Sequence, residues 1–180
     1  MKKIAIVFFT ILIIGTSLVV GAHFCYQFFK ENIEMVDNDQ QIANKNFEKF
    51  LDALQSEDEK ILLSLFSDKV AEESLHNKVD DLFSYYDGEI LNYDDLGALG
   101  VSTDSDGEYV YQSMDSTYDV KTTIDEYRFA VRYISKDSKN PDNIGIESLY
   151  IIRLKDDINP DFAYWGDGKY TPGINIGIKA

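Results

Sequence analysis

The feature that most limits the fold is a change of apolar period at Gly88. Before it, Ala43, Phe47, Phe50, Leu51 and Leu54 recur at three- and four-residue spacing, the stripe of a helix lying on a core. After it, Tyr127, Phe129, Val131 and Tyr133 alternate with Arg128, Ala130 and Arg132, the period of a strand with one buried and one wetter face. Helices first and strands later predicts an α+β fold, with the helices covering one face of a curved antiparallel sheet. The other face is then left for solvent or a partner.

The elements follow from the same patterns. Ser56 with Glu59 reads as an S-x-x-E capping box, so one helix ends and a second starts at Ser56, burying Ile61, Leu62, Leu65 and Phe66. Val79, Leu82, Phe83 and Tyr86 mark a later helix stopped by Asp87-Gly88, with Ser67–Asn77 helical in part. Residues 89–93 read as a short first strand, 94–107 as a polar, glycine-containing loop, and 109–123 as a bent strand carrying Tyr118 and Val120 on one face. Asn140-Pro141-Asp142-Asn143 is turn chemistry. The strand over 144–154 is apolar on both faces and therefore central, and 174–178 is a last strand.

Ahead of this body, Lys2 and Lys3 precede Ile4–Ala22, whose only polar members are Thr10, Thr16 and Ser17. At ~1.5 Å per residue this run makes a helix of roughly 28 Å, close to a bilayer core and long for a cleaved leader. Cys25, the single cysteine, excludes an internal disulfide and follows the run closely. Three states stay open: an uncleaved anchor, favoured here, cleavage after Ala22, or lipidation of Cys25. Phe24 fits the last poorly, because the position before a lipidated cysteine is usually small. All three place residues 40–180 outside as an extracytoplasmic domain; the uncleaved anchor also places residues 1–3 inside and 23–39 as a stalk, with Lys2, Lys3 and Cys25 flanking the membrane.

The 180 residues carry a formal charge of −15, and since residues 1–25 hold only Lys2 and Lys3, the remainder carries −17. So acidic a body repels phosphate backbones, which argues against nucleic acid; the charge either serves solubility alone or attracts basic proteins or cations.

Two segments, "NPDNIGIESLYIIR" (Asn140–Arg153) and "FAYWGDGKYTPGINI" (Phe162–Ile176), together with "FEKFLDALQSEDEKILLSLFS" (Phe47–Ser67), resemble a family of small exported Gram-positive proteins known only as a domain of unknown function. The resemblance spans about residues 40–178. It implies an extracytoplasmic address, a leader often lipoprotein-like, and an α+β cone similar to nuclear transport factor two and to cystatins. It implies no catalytic residue.

The residues supply little chemistry of their own. His23 lies at the membrane, His76 reads as a surface side chain, and one domain histidine does not build a zinc site or a catalytic triad. "STDSDGEYVYQS" places Asp104 and Asp106 before Gly107 as in a calcium loop, but Ser102 and Ser113 stand where Asp and Glu are wanted, so it reads as a hydrated acidic loop. The pairs Asp80-Asp81, Asp94-Asp95 and Asp156-Asp157 define no acid–base couple by spacing alone. No cofactor or metal is implied.

Two groups remain as candidate contacts. Tyr164, Trp165 and Asp167 in "YWGDGKY" form either a binding anchor at a cavity mouth or a plug closing the sheet. Arg128, Arg132 and Arg153 are expected on the sheet face away from the helices, paired with neighbours such as Glu147 or open to an anionic group. The expectation is a membrane-anchored, non-enzymatic binding module with a basic protein partner. The alternatives are an immunity protein against an exported antibacterial toxin and a cone-fold isomerase or dehydratase.

Overall fold

The computed structural model describes residues 21, 25–27, 30, 39–70, 72–106, 109–156 and 171–177. Two units divide the chain, one up to Asn38 and one from Asp39 onward. The first is helical at its described positions, and Cys25 within it is exposed. Among the described residues no helix is long and apolar enough to cross a membrane. Lys2, Lys3 and all of the 4–22 run except Gly21 lie outside the described residues.

The second unit begins with helix α1, residues 39–55, which buries Ala43, Phe47, Phe50, Leu51, Ala53 and Leu54 along one stripe. Its end is a Schellman turn. Asp58 N–H donates to the Ala53 carbonyl and Glu57 N–H to that of Leu54, with Glu57 itself at φ 51°. Helix α2, Glu59–Ser64, is capped by Asp58, whose side chain accepts from Ile61 N–H at 2.9 Å. This corrects the expected capping box: the Ser56 hydroxyl instead donates back to the Asp52 carbonyl at 2.7 Å, inside the last turn of α1. Helix α3, Glu72–Tyr85, stops before Gly88, whose φ of 89° suits glycine.

Among the described residues five strands follow: β1 Ile90–Asp106, β2 Tyr109–Thr122, β3 Glu126–Asp137, β4 Gly145–Arg153 and β5 Gly173–Ile176. They lie in the order β1-β2-β3-β4-β5. The first three pairings are antiparallel, but β4 and β5 run parallel, from Ser148 opposite Gly173 to Ile151 opposite Ile176. The sheet is therefore mixed, a correction to the antiparallel expectation. The connection from β4 to β5 is long enough for a crossover, which a hairpin-length loop would not be.

Of the 94–107 stretch, expected as a loop, residues 94–106 are most of β1. Ser102 stands opposite Ser113 and Asp106 opposite Tyr109, so the described residues of the stretch read as a hydrated acidic loop belong to a strand pair. Its polar sequence is tolerated because β1 is a sheet edge, and because α1 meets it with polar side chains. Gln40 and Asn44 donate to the Asp95 carboxylate at 2.7–3.0 Å, Tyr93 hydroxyl donates to Glu48 at 2.9 Å, and Ile90 N–H donates to Gln55 at 2.8 Å.

One face of the sheet packs on the helices through a run of aromatic rings. Phe47 stacks on Tyr118 with centroids 3.8 Å apart, and Phe129 meets both Phe47 and Phe50 edge-on. Tyr86 lies 4.9 Å from Tyr127, extending the run to the end of α3. Beneath it, Gly145 lets β4 touch the segment after α2. Ser67 N–H donates to Ile146 carbonyl at 3.0 Å, and Ile146 N–H donates to Leu65 carbonyl at 2.8 Å.

Candidate functional surface

Between α1 and the sheet the described residues leave little space. The enclosed gap between α1 and the sheet, lined by Ala43, Asn46, Phe47, Ser116, Tyr118, Val131, Tyr133 and Ile146, holds about 10 Å³. That is about the room one water needs. None of those residues carries a carboxylate. The buried carboxyl of Asp39, raised above its ordinary range by desolvation, lies outside the gap and accepts a hydrogen bond from Gln112 at 3.0 Å. Burial likewise raises the Tyr118 hydroxyl, which donates to Asn44.

The sheet's other face carries two of the three expected arginines, each among carboxylates. Arg128 makes a two-pronged pair with Asp119 at 2.5 and 2.7 Å, directly across the β2–β3 ladder. Arg132 lies 3.4 Å from Asp115 and 3.1 Å from Glu147, and donates to Ser113. Glu147 also takes Lys69 at 3.1 Å. Ala130, Tyr150 and Ile152 form a small buried apolar cluster on the same face.

Arg153 is elsewhere, which corrects the expectation of one shared face. It stands opposite Tyr127 at the end of β4, on the helix side. Its guanidinium lies 4.6 Å over the Tyr85 ring and donates to the Tyr85 carbonyl at 2.6 Å, while Asp125 stands 3.7 Å away. A cation at the last carbonyls of α3 is well placed for that helix, so Arg153 latches α3 to the sheet. Tyr164, Trp165 and Asp167 lie outside the described residues. His76 sits on α3 with Nδ1 2.6 Å from Glu59 Oε1. Among the described residues no three His, Cys, Asp or Glu side chains gather as metal ligands.

Two open grooves at the end of α1 share an acidic lining. One, between α1 and β1, holds about 620 Å³ and is lined by Glu48, Leu51, Asp52, Gln55, Glu89, Ile90 and Tyr93. The other, of about 380 Å³, shares Gln55 and Glu89 and continues past Glu57, Tyr86, Asp87 and Ile124 to the β2–β3 turn. Their described linings hold five carboxylates and no lysine, arginine or histidine. Burial, the Glu48 hydrogen bond and nearby carboxylate charge push the Tyr93 hydroxyl up to about 12. A third groove, of about 670 Å³ between α2 and α3, mixes both signs through Glu59, Lys60, Asp68 and His76.

Sequence reasoning passed over these acidic residues. The signal was present in Asn44, Glu48, Asp52 and Gln55, a polar stripe on α1 at the same three- and four-residue spacing as its apolar one. The fold closes the surface by bringing Asp87 and Glu89 beside that stripe.

A family model described as a domain of unknown function (DUF5104) matches residues 49–154, from mid-α1 to just past β4. A search of curated proteins finds no significant match to the chain.

Proposed function

The chain belongs to the DUF5104 family of unknown function, and from that premise we propose that it is a non-enzymatic binding module, held at the outer side of a membrane by its N-terminal run, that engages a basic protein at its surface. The observation that carries this reading is the contrast between a gap of about one water's volume under α1 and open grooves at its end whose charged described lining residues are all carboxylates. A small-molecule enzyme needs an enclosed pocket with a few convergent polar groups, and the gap under α1 offers about one water's room and no carboxylate. The apolar run Ile4–Ala22 behind two lysines supports the address. The resemblance to exported Gram-positive proteins and their cone fold supports it as well.

Retention from a cell-envelope extract by the full chain in nonionic detergent tests the reading. The expected result is a basic partner whose retention weakens as salt rises, since the attraction is between exposed charges. Salt-independent retention of an acidic partner contradicts it. An exported antibacterial toxin is the sharper form of that partner, and a toxin gene beside this one in many genomes is its expected mark.

A further inference from the structure

Among the described residues β1 ladders only with β2, so its far edge is open. From Ile90 to Gly100 that edge is guarded. The ladder shifts register three times there, and α1 reaches over to Ile90, Tyr93 and Asp95. Bulges and a covering element are two of the means by which an edge avoids pairing. From Gly100 to Asp106 neither guard remains, and the run ladders with β2 in unbroken register, from Gly100 opposite Asp115 to Asp106 opposite Tyr109. We propose that this stretch takes an added strand: an extended segment of a basic protein, carrying lysine or arginine at alternate positions. The proposal goes beyond the binding reading above and shares with it only the charge of the partner.

The backbone supplies the first half of the argument. Thr103, Asp104 and Ser105 are exposed, and among the described residues the backbone of this run makes no hydrogen bond outside its ladder with β2. The outward N–H and C=O groups of an edge strand can hold an extended segment laid beside them with the same kind of bonds that hold β2. Lysine and proline, which commonly defend such an edge, are missing: no lysine, arginine or proline occurs between Lys78 and Lys121. Charge then selects the occupant. Asp104 and Asp106 alternate with Ser105 along the open run. Residues directly opposite in a ladder interact, so a cation beside Asp104 is favoured and a carboxylate there is not. A second copy of this chain would bring the same aspartates and another acidic body to the edge, which charge opposes. A nucleic acid is repelled for the same reason.

The probe is a fluorescent peptide of alternating lysine and threonine, titrated against the full chain in nonionic detergent. Wild type is expected to bind it and to slow amide exchange at residues 100–106, and the glutamate–threonine counterpart should not bind. An ester-linked counterpart, with the same side chains but oxygen in place of its central backbone N–H groups, separates ladder pairing from plain attraction. It should bind on the order of tenfold more weakly. Asp104→Lys should weaken binding of the lysine peptide by a similar factor. Asp80→Lys makes the same change of charge at an exposed position of α3 and should alter binding by less than about twofold. The ester comparison uses wild type alone, so it decides the matter even where a variant folds poorly. Equal affinity for the amide and ester peptides, unchanged exchange at 100–106, or equal weakening by the two variants overturns the edge site. If it is overturned while a basic partner is still retained from the envelope extract, the binding reading stands without it. If wild type binds neither peptide nor envelope partner, both fail.

Discussion

Glu57 occupies the left-handed backbone position that ends α1, with φ 51°, where glycine is the usual occupant. Glycine there should stabilise the protein by about 1 kcal/mol, read as a higher midpoint in urea, while removing a carboxylate from the acidic groove. A drop in stability would mean that the Glu57 side chain makes a contact outweighing its backbone strain. Asp137 is the opposite case, a carboxylate that the fold rewards. It is buried, it accepts from the Asn143 side chain at 2.8 Å and from Asn140 and Lys139 N–H at 2.9 and 3.1 Å, and these bonds, Asn143 first, lower its pKa. A lowered carboxylate contributes stability above its unfolded value near 3.8 and loses it as pH falls through the folded value. Thermal scans from pH 6 to pH 2 should therefore show wild type losing stability below about pH 4 more steeply than Asp137→Asn. Parallel curves would remove Asp137 from the acid response.

At the scale of elements, the join between β4 and the segment after α2 depends on one missing side chain. Gly145 has φ 137°, and a Cβ there would stand 2.7 Å from Ser67 N and 2.8 Å from the Phe66 carbonyl carbon. Both are backbone atoms, so Gly145→Ala should destabilise by roughly 2 kcal/mol or more, and denaturant midpoints check it. A near-neutral result would mean that the two backbones separate freely. This contact was not legible beforehand, because it is long-range and its signature is an absence. The helical stripe of α1 and the alternation of β3 were legible, since burial repeats at the period of each element. Residues 94–106 were misread for a physical reason: an edge strand held by its ladder and by Gln40, Asn44 and Glu48 needs no apolar face. The last strand was legible in 174–178, but its parallel direction was not, because four residues carry no mark of direction. Among candidate contacts, Arg128 and Arg132 share the predicted face, whereas Arg153 follows the register of Tyr127 to the other.

For the whole molecule, the charge is the dominant fact. A body with a net −17 keeps its few arginines against carboxylates and leaves the grooves at the end of α1 uncompensated. Among the described residues, stacked and edge-on rings pack the space between α1 and the sheet, leaving a gap of about 10 Å³. Surface recognition is what this arrangement supports best. Hydrogen exchange on the full chain, alone and with any basic partner retained from the envelope extract proposed above, tests that most directly. The account predicts added protection confined to residues 48–57, 86–93 and 100–106. Protection centred instead on the interior positions around Ser116, Tyr133 and Ile146, with none at the grooves, would contradict it.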